Sequence, residues 1–141
     1  MNSSRLDGLL GYHLRRAQLR AIAAFARHLE DTGLTPALFG VLAIIEARPG
    51  IGQGDVADAL GADRSTMVRL VDQLERRGLV RRDSHPRDRR TVLPALTEEG
   101  RALLERATPL VRASEDEFAG ALSAGERERL ANDLRRLSPS S

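Results

Sequence analysis

Arg64, Ser65, Thr66 and Arg69 lie within six positions of one another, directly after Asp63. An Arg guanidinium can bridge O6 and N7 of guanine, and Ser or Thr hydroxyls can contact bases or phosphates, when such residues open a helix that enters the major groove. The same helix end attracts phosphate near Ser65. A second group follows at Arg87, Asp88, Arg89 and Arg90. From Arg76 to Arg90 seven Arg stand against only Asp83 and Asp88, whereas the whole chain of 141 residues carries a net charge of +2. The positive field is therefore local, as a grip on a phosphate backbone requires. A solvated face would also explain a charge run, and Ser65 and Thr66 would also serve a plain helix terminus. The elements around them decide between these readings.

Those elements read as helix, helix, short helix, helix, hairpin, helix, helix. Apolar or small residues at Leu6, Leu10, His13, Ala17, Ala21, Ala24 and His28 recur every three or four positions, which predicts a first helix of roughly 25 residues. That is more apolar surface than one small core covers, so a partner chain is expected. Leu34-Thr35-Pro36 starts a second, nearly all-apolar helix, with Thr35 as N-cap and Pro36 at the first helical position. It runs to about Ala47. A short third helix is expected around Asp55 to Leu60 and turns through Gly61-Ala62-Asp63. The fourth starts after Asp63, buries Met67, Leu70, Val71 and Leu74, and stops at Gly78. Leu79 to Arg82 and Thr91 to Leu96 read as strands of a hairpin with a long polar tip. Pro94, which has no N–H to donate, is expected on an outward edge. Thr97 caps a fifth helix, with Glu98 and Glu99 at its positive end, and a last helix spans about Ala124 to Leu137.

The fold class is mainly α with a small β-hairpin wing: a winged helix-turn-helix at 34–97, dimerisation helices at 1–33 and 98–138, and a polar tail at 138–141. Only three Phe, one Tyr and no Trp favour a helix-packed core of Leu, Val, Ile and Ala. Zero Cys excludes disulfides, thiolate nucleophiles and Cys-ligated zinc within the chain. His13 and His28 lie roughly 22 Å apart along a helix and cannot share a metal in one chain. No apolar run approaches the ~18 residues of a membrane span, so a cytoplasmic address is expected. All 22 basic residues are Arg, which codon usage explains as readily as chemistry.

Several blocks in register resemble the MarR family of bacterial transcriptional regulators. Asp88-Arg89-Arg90, then five residues, then Leu96-Thr97 is similar to that family's wing signature. Gln53-Gly54-Asp55-Val56-Ala57, Asp63-Arg64-Ser65-Thr66, Leu74-Glu75-Arg76-Arg77-Gly78-Leu79-Val80 and Leu96-Thr97-Glu98-Glu99-Gly100 agree in order. The resemblance implies a homodimer on palindromic double-stranded DNA, acting as a repressor. It also implies DNA contacts from Arg64, Ser65, Thr66, Arg69, Arg87, Arg89 and Arg90, and a pairing of Asp88 with Arg90 that stiffens the wing. Release by a small, often aromatic or phenolic effector is implied too, in a cleft to which Tyr12, His13, Arg16, Arg20, Pro36 and Phe39 are the candidate linings. Gly52 and Gly54 depart from the family pattern, in which Thr and Ser or Glu are commoner, so a frayed third helix is expected.

Two other classes fit less well. A winged module that binds proteins should expose an apolar recognition face, which Arg64, Ser65, Thr66 and Arg69 do not make. An enzyme needs a nucleophile and base, a metal cluster or a phosphate loop, and no such motif is present. No cofactor is expected.

Overall fold

Thr35, Asp63, Thr97 and Ser123 each adopt an extended backbone and accept, through the side chain, the N–H three residues on, from Leu38, Thr66, Gly100 and Glu126. Each satisfies one donor that a first helical turn leaves unpaired. In this computed structural model, which describes residues 4–138, these caps open α2 (Pro36–Ala47), α4 (Arg64–Arg76), α5 (Glu98–Phe118) and α6 (Ala124–Leu137). The Glu126 carboxylate also accepts the Ser123 N–H, a reciprocal capping box that the sequence reading does not anticipate. Helices α1 (Leu10–His28) and α3 (Gln53–Leu60) begin at Leu9 and Gly52 without a side-chain cap. Gly61 and Gly78 take the left-handed conformation that ends α3 and α4.

Three expectations need correction. Helix α1 has 19 residues rather than about 25. Leu6 instead accepts the Leu9 N–H in a turn, and the poor helix formers Asp7 and Gly8 lie between them. Helix α3 starts two residues earlier than expected and runs unbroken despite Gly54. The hairpin has no long tip: strands β1 (Val80–His85) and β2 (Asp88–Leu96) pair antiparallel and leave only Pro86 and Arg87 between them. Of the polar tail, residues 139–141 lie outside the described residues, and Ser138 caps the end of α6.

The core collects around α2, whose Val41 and Leu42 are completely buried. Val56 and Ala57 of α3, Met67, Val71 and Leu74 of α4, and Val80 and Leu96 at the base of the hairpin close over it. Phe25 and Leu29 at the end of α1 join the same cluster, as do Leu103, Leu104 and Ala107 of α5. Residues 34–97 therefore share their core with the flanking helices. Pro94 opposes Arg82 in a ladder of two strands, so an open edge is available for the backbone position that lacks an N–H. Its ring, however, is fully buried, so only the backbone can meet the expected outward placement.

One chain leaves other apolar surface uncovered. Leu10, Leu14, Leu19 and Ile22 of α1 are exposed, as are Leu130, Leu134 and Leu137 of α6, a helix with no buried residue. Among the described residues no helix is long and apolar enough to cross a membrane.

The start of α5 fixes the base of the hairpin. Thr97 donates its N–H to the Leu79 carbonyl and its hydroxyl to the Gly78 carbonyl. A Cβ at Gly100 would stand only 2.0 Å from the Leu79 oxygen, which is backbone and cannot swing aside. Gly100→Ala should therefore destabilise the fold by about 2 kcal/mol through overpacking, although Ala is the better helix former by about 1 kcal/mol. Urea unfolding checks this, and an unchanged or higher midpoint would refute the close approach.

Candidate nucleic-acid interface

The apolar stripe Met67, Val71 and Leu74 turns one side of α4 into the core and leaves Ser65, Val68, Arg69 and Arg76 exposed on the others. At its start Asp63 Oδ1 accepts the Thr66 N–H at 2.7 Å and the Ser65 hydroxyl at 2.9 Å. Thr66 and Ser65, by donating these hydrogen bonds, hold the Asp63 carboxyl below its usual range. Ser65 is thus tied to the cap, and Thr66 is half-buried with its hydroxyl accepting from Arg69 Nη2 at 3.3 Å. Arg69 is therefore tied within α4 as well, and of the four residues the sequence singles out here only Arg64 reaches another element.

Arg64 folds back over α3. A Cβ at Gly54 would lie 2.6 Å from its Nη1, so the missing side chain at Gly54 is what admits the guanidinium. Arg64 and Val68 of α4, Gly52 to Asp55 of α3, and Arg90 to Val92 of β2 line one open cleft of about 370 Å³. The start of α4 and the wing therefore present a common face.

At the wing tip the register slips. Ser84 opposes Val92 but His85 opposes Asp88, so Arg89, Arg90 and Thr91 bulge from β2. Asp88 holds the bulge by accepting the Thr91 hydroxyl at 2.9 Å and the Arg90 N–H at 3.0 Å. These two bonds, the one from Thr91 first, lower the Asp88 pKa. The link between Asp88 and Arg90 thus runs through the Arg90 backbone, and the guanidinium takes no part in it. Across the turn His85 Nδ1 accepts the Arg87 N–H at 3.0 Å. Arg87, Arg89 and Arg90 are exposed, and among the described residues no hydrogen bond or ion pair engages their guanidinium groups.

Sequence reasoning missed Arg82, which counted only as part of a charged run. Its guanidinium donates to Asp72 at 2.7 Å, to Glu75 at 3.0 Å, to the Val68 carbonyl at 3.2 Å and, through Nε, to Gln53 at 3.3 Å. One side chain, 22% exposed, binds the wing to α4 and to α3. The available signal was register: Val80 and Arg82 share a face of β1, and an Arg on the face that buries Val80 needs partners. Arg77, the C-cap of α4, does similar work toward the segment before α2, donating to the Thr32 and Gly33 carbonyls at 2.7 and 3.1 Å.

The residues put forward for an effector are scattered. Tyr12, His13, Arg16 and Arg20 lie on the exposed first half of α1. Tyr12 meets His13 edge-on, and Arg16 Nη1 donates to the Tyr12 hydroxyl at 3.4 Å. Pro36 is exposed. Phe39 packs edge-on against Phe25 and lines an open cavity with Thr108, Val111, Arg112, Glu115 and Asp116 of α5 and Arg127 of α6. The other five candidates are not among its walls. Arg112 and Arg127 were not foreseen, because only the meeting of α5 with α2, and the ion pair of Arg127 with Asp116 across α6 and α5, set them near Phe39.

A short helix, a tight turn, an outward-reading helix and an Arg-tipped two-stranded wing on one core define a winged helix-turn-helix protein. The MarR family model matches residues 34–92. A "Putative transcriptional regulatory protein for hcr operon" from Thauera aromatica is 42% identical over 94% of this chain and 80% of its own length. A solved structure of the transcriptional repressor CouR bound to a 23-mer DNA duplex superposes with a TM-score of 0.91 at 39% identity, covering 99% of each chain. CouR bound to p-coumaroyl-CoA gives 0.87 at 37% identity, covering 100% of this chain and 99% of that one. The chain belongs to the MarR family.

Two outcomes follow from this geometry. Arg82→Ala leaves Asp72 and Glu75 facing each other without their cation and should cost about 1 to 3 kcal/mol in chemical unfolding. Arg82→Lys, which can reach a carboxylate but cannot bridge to Gln53 and Val68 as well, should fall between. Equal midpoints for all three proteins would contradict the anchoring role. Asp63 and Asp88 titrate lower in the folded chain than in the unfolded one, so their contacts persist at neutral pH and disappear only as pH falls through the lowered folded values. In an NMR titration the Thr66 and Arg90 amide proton shifts should stay constant through the ordinary carboxylate range and move only below it. Movement already between about pH 5 and 7 would contradict the dependence of these contacts on the two carboxylates.

Proposed function

We propose that the protein is a homodimeric, DNA-binding transcriptional repressor whose two α4 helices read the halves of a palindromic duplex and whose hold is released by a small aromatic effector. The observation that carries this is the single cleft shared by Arg64 of α4 and Arg90 of the wing. Helix start and wing can thereby engage one duplex together, with Arg64, Ser65, Thr66 and Arg69 toward base edges and Arg87, Arg89 and Arg90 toward phosphate. The uncovered apolar faces of α1 and α6 supply the contact between copies. Such a regulator works in the bacterial cytoplasm, where the chromosome is.

For the effector, the cavity beside Phe39 is lined by Phe39 and Val111, by Arg112 and Arg127, and by the carboxylates of Glu115 and Asp116. Asp116 holds Arg127 Nη1 at 2.7 Å, while Arg127 Nε is buried with no hydrogen-bond partner among the described residues. An aromatic acyl group carrying a carboxylate or phosphates suits it. In the dimer, Tyr12, His13, Arg16, Arg20 and Pro36 complete the enclosure, with Arg16 a second anchor for the anion. No cofactor is required.

Selection of duplexes from a random library, followed by mobility shift, tests the reading. The enriched sequence should be a palindrome with half-sites about 34 to 36 Å apart, or a multiple of that spacing. Arg69→Ala should weaken binding to it about 10- to 100-fold and relax preference at one base pair per half-site. Arg87→Ala should act alike on all sequences and reduce the salt slope by about one per protomer, about two for the dimer. p-Coumaroyl-CoA or free p-coumarate should release the duplex, and Arg112→Ala should raise the concentration needed. A library that yields no enriched sequence would end the proposal.

A further inference from the structure

Val68 is 43% exposed on α4. Among the described residues, the other large apolar side chains left in solvent belong to the first 22 positions or to α6, the surfaces a second copy would cover. Val68 stands apart from them, on the outer side of the helix whose inner side fills the core. It lines the cleft with Arg64, one turn before it, and Arg90, across on the wing. Arg69 follows it in sequence. One isopropyl group in a cleft that also holds Arg64, Arg90 and Asp55 is too small a patch to seat a protein surface. The two Arg would hold a polyanion against it.

The side chain is also held in position. Its carbonyl accepts Arg82 Nη2 at 3.2 Å in addition to its place in the helix, so the backbone beneath it is tied to the wing. A β-branched residue in a helix has one strongly preferred χ1 setting. The two methyls therefore present a preformed apolar contact at low entropic cost. The major groove offers one apolar group on its base edges, the C5 methyl of thymine.

We propose that Val68 reads a thymine methyl in each half-site, an apolar specificity contact set among the Arg contacts of α4. This rests on the reading of the protein as a DNA-binding regulator and adds a base preference to it. The residue is a specificity determinant, and its removal should leave the phosphate grip intact.

The test uses full-length protein and the duplex enriched from a random library. Each thymine is replaced singly by deoxyuridine, which deletes the methyl and keeps every hydrogen-bonding group. At one position per half-site the wild-type protein should lose about fourfold in affinity, the worth of one buried methyl group. Val68→Ala, an exposed change to a better helix former, removes the contact from both half-sites at once and should lose about 16-fold on the unmodified duplex, with no further loss when uracil replaces the contacted thymine. Its salt slope should equal that of the wild type. A wild-type protein indifferent to uracil at every position would overturn the proposal. So would an Ala variant that keeps the full uracil penalty. A library that enriches nothing would instead overturn the DNA reading beneath it, which separates the two failures.

Discussion

The Arg82 guanidinium is the tie on which the arrangement of the wing with α3 and α4 depends. A two-stranded hairpin is at best marginally stable alone, and this one carries Arg81, Arg82, Arg87, Arg89 and Arg90, which repel one another. Packing of Val80 and Leu96 against the core secures only its base. Further out, Arg82 turns inward and donates to Asp72 and Glu75 of α4, to the Val68 carbonyl and to Gln53 of α3. A planar fork with several donors suits this task, since it satisfies two carboxylates and two neutral oxygens at once. The wing, α4 and α3 are thereby held in one arrangement. Without it the Arg-tipped loop and the Arg64 end of α4 would lose their common cleft.

A second constraint is what the chain leaves uncovered. No residue of α6 is buried within its own chain, and α1 exposes Leu10, Leu14, Leu19 and Ile22. Burial of such side chains is worth about 1.5 to 3 kcal/mol each, so a second copy set against these faces gains more than a small hairpin contact could. The positions of two reading helices on DNA would then be set by helices that never touch it. The cavity beside Phe39 lies at the junction of α2 with α5 and α6. A molecule bound there would act on the joint between the frame and the reader.

Much of this was legible in the order of residues because it rests on local rules. Thr35, Asp63 and Thr97 act as caps with the partners their spacing demands, and Gly78 ends α4 in the one conformation that glycine tolerates best. The blocks from Gln53 to Gly100 that resemble a known regulator family correspond to the helix-turn-helix and wing of the fold. Periodicity misled where a few residues at an end decide the outcome. It ran α1 back to Leu6 across Asp7 and Gly8, and it shortened both strands because the polar composition of the wing tip hides a ladder that continues nearly to its turn.

The sequence by itself determined the succession of elements, the inward stripe of α4 and the cluster of Arg beside it, since each follows from spacing, capping and charge within a few residues. Only the tertiary structure decided which Arg of that cluster face solvent and which serves as an anchor. It showed Gly54 making room for Arg64, and Gly100 admitting the Leu79 carbonyl. It also showed Asp88 holding Arg90 by its backbone, and Arg112 and Arg127 meeting Phe39. The reason is physical: a guanidinium on a long, flexible stem takes whichever partner the packing of distant segments brings within about 3 Å. Its role is thus set by neighbours far away in the chain.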